Sequence, residues 1–373
     1  MTNFRKVHRW ISLSVALIWL VQAVTGTLNV FRWELDDRAV AGAPVAVDFR
    51  ALGAAVDRLD AAPRSSVSSV WTSGTAKGRF DIHYSIDSSD RVMRVDGQGR
   101  RLRDRSSDAA MGDGAGWDAV TRIHTSLMAG DTGKWLIGFS GLLLLTNIGL
   151  GLKLAWPKRG TIRKVLFRAP AGKPAARLYG WHRKVGLWFA LPALFTISSG
   201  VLMVFSDGVE RTLNAGLADP VLAAPVSLDR PIGFGAAVRT ASQTFPGSSF
   251  SGASLPDQDT PWYRIRVRNF GELPRKWGTS VVYVAADDGR VLSAYDAARP
   301  HAGRAIVDTL YTLHTGQIGG TTGRVLVFLI GLTLLTLIGL GVSLWWTRRR
   351  INAAGPPGRR RPAHFEAPSP NRG

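Results

Sequence analysis

"RKVHRWISLSVALIWLVQAVTGTLNVF", residues 5–31, decides the fold, because "YGWHRKVGLWFALPALFTISSGVLMVF" repeats its pattern at residues 179–205. Each stretch sets a histidine among basic residues and then continues through a long run without a charge. With His8 aligned to His182, the two agree without a gap at Arg9/Arg183, Gly26/Gly200, Leu28/Leu202, Val30/Val204 and Phe31/Phe205. Taken alone, the first stretch can also be read as a cleaved signal peptide: Arg5, Lys6 and Arg9 precede an apolar core, and Val21-Gln22-Ala23 is a passable cleavage site. The second lies far inside the chain and cannot be one. Their likeness makes the first a retained helix.

Four runs lack Asp, Glu, Lys and Arg altogether: 10–31, 135–152, 185–205 and 325–346. At about 1.5 Å per residue each reaches across a hydrocarbon core of roughly 30 Å, the second with help from its flanks. Soluble helices of this length keep a polar face. Four such runs predict an integral membrane protein.

Charge gives the orientation. The net charge is +20, yet residues 32–134 hold fifteen basic and fifteen acidic side chains, and 207–324 hold twelve and eleven. The excess sits in 1–9, in 157–184 (nine basic, no acidic) and in the Arg-rich tail from Arg348. The positive-inside rule therefore places both termini and the 157–184 loop in the cytoplasm. So basic a chain raises the question of nucleic acid, but topology accounts for the bias and no nucleic-acid partner is expected. The Pro- and Arg-rich tail reads as disordered and facing membrane lipid. Cysteine is absent, which excludes thiolate-held clusters, disulfides and covalently attached c-type haem.

A second pair of stretches agrees even better. "HTSLMAGDTGKWLIGFSGLLLLTNIGLGLKLAWPKR" from His124 and "HTGQIGGTTGRVLVFLIGLTLLTLIGLGVSLWWTRR" from His314 share Thr125/Thr315, Gly133/Gly323, Gly141/Gly331, Gly149/Gly339, Gly151/Gly341 and Trp156/Trp346, again ungapped. The chain reads as two copies of a helix–domain–helix unit. Amphipathic helices are expected at 49–61 and 234–245. Strands are expected at 68–72, 79–86 and 91–95, then at 249–255, 262–268 and 280–285. "FDIHYSI" alternates cleanly, and Asp96-Gly97 and Asp288-Gly289 supply turns. The predicted class is a membrane α-helical protein with four transmembrane helices and two small external α+β domains, each a helix on a short antiparallel sheet. Its boundaries are a first helix with a cytoplasmic N-terminus (1–33), an external domain (34–122), a histidine segment with the second helix (123–156), a basic loop (157–180), the third helix (181–206), a second external domain (207–312), a histidine segment with the fourth helix (313–347), and the tail (348–373).

These paired units, the histidines at the membrane ends and the α+β inserts resemble the PepSY-associated transmembrane family over residues 5–350. The elements "HTG…G…GR…G" and "WHRK…G" carry the likeness. The resemblance implies PepSY-like external domains and, by analogy with characterised members, an inner-membrane reductase of ferric siderophores that holds two b-type haems among four helices. It also implies a cytoplasmic electron donor such as a flavoprotein, a bacterial plasma-membrane location and external domains in the periplasm. Some members carry a fused flavin and nicotinamide domain. This chain has none, and "GDGAG" at 112–116 follows no strand, so it reads as an external turn.

Four of the seven histidines recur as His8/His182 and His124/His314. An interfacial histidine is ordinarily an amphipathic side chain with its tip in water. Recurrence at both positions in both units points instead to a metal or redox role. His8 and His182 begin outward-running helices, and His124 and His314 precede inward-running ones. One iron cannot be shared across the bilayer, so His8 should pair with His182 and His124 with His314. Two imidazoles per site, with no thiolate or nearby carboxylate, suit a six-coordinate haem better than zinc, which takes four ligands. Gly26 and Gly200 each lie eighteen residues past their histidine, five helical turns or roughly 27 Å. They face the external site, either making room for a flat macrocycle or simply letting helices pack. Gly149, Gly151, Gly339 and Gly341 could act likewise at the cytoplasmic level. The Gly-rich segment after His124 is expected to bend or to separate the ligand helix from the membrane helix. His83 and His364 read as solvated, and His301, level with Met111, is left unassigned. Two rival functions remain: a sensor or regulator built on the external domains, and a transporter whose histidines handle metal or protons.

Overall fold

Long runs with no charge and no break fold as helices, since only a helix satisfies every backbone group within one segment. A computed structural model describes residues 3–40, 42, 45–75, 77–107 and 116–353. Its four long helices are α1 (Asn3–Asn29), α5 (Gly130–Ala155), α7 (Pro174–Val204) and α11 (Gly320–Ala353), each long and apolar enough to cross a membrane. Between the first two come α2 (Arg32–Arg38), α3 (Phe49–Asp60), strands β1 (Ser65–Thr72), β2 (Arg79–Ile86), β3 (Ser89–Asp96) and β4 (Arg101–Ser106), and α4 (Gly116–Ser126). A short α6 (Ile162–Phe167) precedes α7. The second half then offers α8 (Ser206–Thr212), α9 (Phe234–Thr244), strands β5 (Ser249–Ser254), β6 (Trp262–Arg268), β7 (Ser280–Ala285) and β8 (Val291–Tyr295), and α10 (Ala302–His314).

The long helices form a bundle in which α7 packs on both α5 and α11, and α1 packs on the same two. Outside the bundle their apolar side chains are exposed, as expected of a surface that meets lipid. At the end opposite the sheet, basic side chains lie over aromatic rings: Arg349 over Trp345, Arg350 over Trp346 and Lys153 over Phe4. Helix α11 runs on to Ala353, so the tail begins as helix, and α7 starts at Pro174, within the stretch expected to be loop. The rest of the tail with His364, Met111 and nearly all of the "GDGAG" turn lie outside the described residues.

The strands do not make two small sheets. They form one antiparallel sheet in the order β4-β3-β2-β1-β5-β6-β7-β8. The halves join through Ser69↔Ser254, Val70↔Ala253 and Trp71↔Gly252. An unpaired edge strand leaves a row of open backbone groups, and here each half's edge covers the other's. Strands β4 and β8, unforeseen in the sequence, are the outer strands: β4 (RLRDRS) is polar, and β8 (VLSAY) is short and half-exposed without a clean alternation. Helices α3 and α9 cover one face and meet at Gly53 and Gly235, where an added Cβ on Gly53 would lie 3.0 Å from the Gly235 nitrogen. A single core with Leu52, Val56, Phe80, Phe234, Ile265 and Val282 runs through both halves.

The other face of the sheet is charged and sits on the bundle end. Arg94 pairs with Asp36 of α2 (2.6 Å) and with Asp81 (2.7 Å), Arg79 pairs with Asp37 (3.2 Å), and Arg105 pairs with Asp118 of α4. His83 lies on this face half-buried rather than solvated, and burial draws it below its ordinary value.

Candidate functional site

Two histidine pairs form, one at each end of the bundle. His8 of α1 and His182 of α7 have ring centres 6.4 Å apart, and His124 of α4 and His314 of α10 have theirs 6.2 Å apart. The pairing joins the two halves of the chain at each level. His124 stands on its own short helix, separated from α5 by a turn in which Leu127, Met128 and Gly130 take positive φ. At the matching place His314 ends α10, and Gly316 and Gly320 make the turn. These turns explain the recurring Gly133 and Gly323: a Cβ there would lie 1.7 Å from the Ser126 oxygen and 2.2 Å from the Gly316 oxygen.

Each of the four paired histidines rests against a glycine of the neighbouring long helix. A Cβ added to Gly26 would stand 2.8 Å from His124 Cε1, and one on Gly200 2.6 Å from His314 Cε1. At the other end Gly151 faces His8 Cε1 (3.3 Å) and Gly341 faces His182 Cε1 (3.6 Å). Gly26 and Gly200 therefore do lie level with the sheet-side pair, and the room they leave takes the imidazole edge itself. Gly149 and Gly339 have nothing within 4 Å.

A backbone carbonyl accompanies each glycine, four residues before it. His314 Nδ1 donates to the Thr196 oxygen (2.8 Å) and His8 Nδ1 to the Asn147 oxygen (3.2 Å). His124 Nδ1 faces the Gln22 carbonyl and lies 3.1 Å from Thr25 Oγ1, whose own proton goes to the Val21 oxygen (2.7 Å). His182 Nδ1 faces the Leu337 carbonyl without completing the bond. A hydrogen on Nδ1 leaves Nε2 with its lone pair, the arrangement a metal-binding imidazole needs. Around His8 the support extends further: the Asn147 side chain donates to Ser12 Oγ (2.9 Å), and Ser12 Oγ to the His8 oxygen (2.7 Å). Burial, and then the neighbouring His314, draw His124 down to about 4, and burial draws His314 below its ordinary value, so both are neutral.

These residues fit a bis-imidazole haem. Imidazoles bound at about 2 Å on opposite sides of one iron have ring centres roughly 6 Å apart. Among the described residues no cluster of three or more His, Cys, Asp or Glu side chains gathers, so each pair offers two protein ligands and no more. A macrocycle completes such a set. His301 lies apart as the exposed N-cap of α10, accepting from the Arg304 N–H (3.4 Å).

Between the two levels the bundle centre is filled by Trp19, which donates from Nε1 to the Ser140 oxygen (3.0 Å). The matching position in the second half is Ala193, also buried. The histidines and glycines were visible as repeats. The carbonyls, Thr25, Asn147 and Ser12 were missed; of the three side chains only Asn147 stands four residues before a recurring glycine, Gly151.

Comparison with known proteins adds the family. The PepSY-associated TM region matches residues 5–348. A search of curated proteins gave no match.

Proposed function

The chain belongs to the PepSY-associated TM region family, and from that premise we propose that it passes single electrons across a bacterial inner membrane to a ferric siderophore outside. In this reading the chain is a duplicated unit, its two b-type haems are held by His8 with His182 and by His124 with His314, and the sheet lies in the periplasm. One observation carries the proposal: four half-buried imidazoles are paired at about 6 Å, each against a glycine, with Nδ1 of His8 and His314 bonded to a carbonyl so that Nε2 is free. When bound, each haem supplies a one-electron ferric–ferrous couple.

The protein's own part is positioning. His8 with His182, and His124 with His314, would hold one haem at each level, and each haem would supply electron transfer. Uncharged helices keep water from the path between them. The basic end receives a cytoplasmic donor such as a flavoprotein, whose acidic surface it attracts. At the sheet end a ferric chelate accepts one electron, and the ferrous ion it then holds binds hard oxygen ligands weakly and leaves. No general acid or nucleophile is required.

The test begins with pyridine-haemochrome analysis of the purified protein, which should show two b-type haems per chain. His8→Ala and His182→Ala should each remove the same haem, and His124→Ala and His314→Ala the other. Dithionite-reduced protein in nanodiscs, mixed anaerobically with ferric siderophores, should reoxidise as a ferrous trap develops colour at the same rate. A haem-free protein overturns the proposal. A haem-loaded protein indifferent to every ferric chelate moves it to another external oxidant or to a sensor.

A further inference from the structure

Above the sheet-side histidines lies a group of cations that form no ion pair among the described residues. Arg32 donates to Thr121 Oγ1 and stacks 3.7 Å over the Trp33 ring. Arg275 stacks 4.6 Å over Tyr311 and donates from Nη1 to Thr279 Oγ1 (3.2 Å). Lys276 Nζ lies 5.3 Å from the Trp33 ring, and Trp33 touches Trp277 at 5.0 Å, which draws the two halves together here. Thr121 and Tyr311 each come three residues before a paired histidine, so Arg32 stands one helical turn above His124 and Arg275 one turn above His314.

The neighbouring carboxylates are engaged elsewhere, Asp37 with Arg79 (3.2 Å) and Asp81 with Arg94 (2.7 Å). Glu34 binds Arg324 (2.5 Å), Asp36 binds Arg94 and Arg103, and Asp118 binds Arg105. Asp308 takes Arg304 (2.7 Å) and the Tyr295 hydroxyl (2.8 Å), while Glu272 accepts the Thr279 and Ser280 N–H groups. Among the described residues none forms an ion pair with Arg32, Arg275 or Lys276, and Arg275 Nε is buried with no partner. Burial draws Arg32 and Arg275 below the usual guanidinium range and Lys276 down to about 8. Taking charges out of water without a counter-charge is costly, and a bound anion offsets that cost.

A cavity of about 240 Å³ opens beside Arg275 and Tyr311, walled by Met203 and Leu310 and by the Arg304–Asp308 pair. Sites for whole drug-sized ligands occupy roughly 300–1,000 Å³. This one is smaller, and of the three cations Arg275 lines it.

We propose that Arg32, Arg275 and Lys276 form a cradle for carboxylates at the sheet side of the His124–His314 site. Its place over an iron rests on the di-haem reading; its unpaired cations do not. Two sources present this chemistry: the two propionates on one edge of a haem b, and the carboxylates of a chelate such as citrate.

The experiment uses full-length protein in nanodiscs, wild type and Arg32→Gln, Arg275→Gln, Arg275→Lys and Lys276→Gln. In one arm the haem-stripped protein is reloaded with haem or with haem dimethyl ester, and loss to apomyoglobin is followed by absorbance. In the other, citrate binding to the oxidised protein is measured by calorimetry. Losing a charge-assisted contact changes affinity by about tenfold or more. If propionates fill the cradle, Arg275→Gln speeds loss of one of the two haems by that factor, Arg275→Lys by less, and the dimethyl ester is lost quickly even from wild type. If a chelate fills it, haem loss is unchanged and citrate affinity falls by that factor. The far-end haem, retained throughout, reports an intact fold. Unchanged haem loss and unchanged citrate binding in all four variants overturn the cradle even in a protein with two haems. A protein that holds no haem overturns the di-haem reading instead, and citrate binding alone then decides the cradle.

Discussion

A helical carbonyl has two lone pairs and spends one on the N–H four residues later. Where that later residue is glycine, no Cβ shields the groove, and an imidazole can lie in it with Nδ1 on the second lone pair. His314 and His8 use this geometry in full, at Gly200/Thr196 and Gly151/Asn147, while His124 and His182 lie in the matching grooves at Gly26/Gln22 and Gly341/Leu337 without that bond. Their clearances differ, and so should the effects of a methyl group. Gly26→Ala and Gly200→Ala, with contacts under 3.0 Å, should displace the sheet-side imidazoles, an overpacking cost of about 1–3 kcal/mol. Gly151→Ala, at 3.3 Å, should be felt less, and Gly341→Ala, at 3.6 Å, should be tolerated. Haem content and the Soret band of the four variants check this order; equal losses from all four would refute the geometry. The sequence displayed both partners of each contact as repeated letters. It could not display the carbonyls, because every residue has one.

The sheet was legible strand by strand and not as a whole. Period-two alternation in "FDIHYSI" and the Asp-Gly turns sufficed for β2, β3, β6 and β7, whose apolar faces meet α3 and α9. β4 ("RLRDRS") buries charged side chains against α2 and α4 through ion pairs, so its pattern carries no apolar signal. Nor does alternation say which edge meets which, and the union of β1 with β5 is therefore a tertiary fact. That seam is short: three aligned pairs against eight between β2 and β3. Trp71 lies over Gly252 across it and touches Trp277 at 5.9 Å. Hydrogen exchange should accordingly be faster at 69–71 and 252–254 than in the centre of β2–β3. Gly252→Val, whose Cβ would fall 2.2 Å from Trp71 Cε3, should abolish protection at the seam and spare β2–β3. Loss of protection spread evenly over all eight strands would mean that the seam is not a separate weak point.

Across the whole chain, charge and architecture run along one axis. The sheet caps the end where His124 and His314 meet, and its ion pairs consume basic and acidic side chains in near-equal numbers. The opposite end gathers Asn3 of α1, the 157–184 segment and the Arg348–Arg350 end of α11, and there the positive charge is unopposed. A bilayer sorts loops by that difference, retaining Lys- and Arg-rich segments on the cytoplasmic side. The electron path proposed here depends on this orientation, since a sheet in the cytoplasm would face the donor and not the chelate. The absence of native cysteine makes the orientation directly measurable. Asp90→Cys and Asp259→Cys place a thiol at exposed positions of the sheet end, and Arg168→Cys places one at the basic end. In cells made permeable only at the outer membrane, a membrane-impermeant maleimide should label the first two at once. Arg168→Cys should react only after lysis. Labelling of Arg168→Cys before lysis, with Asp90→Cys and Asp259→Cys protected, would invert the molecule and end the case for a siderophore reductase that acts from the sheet side.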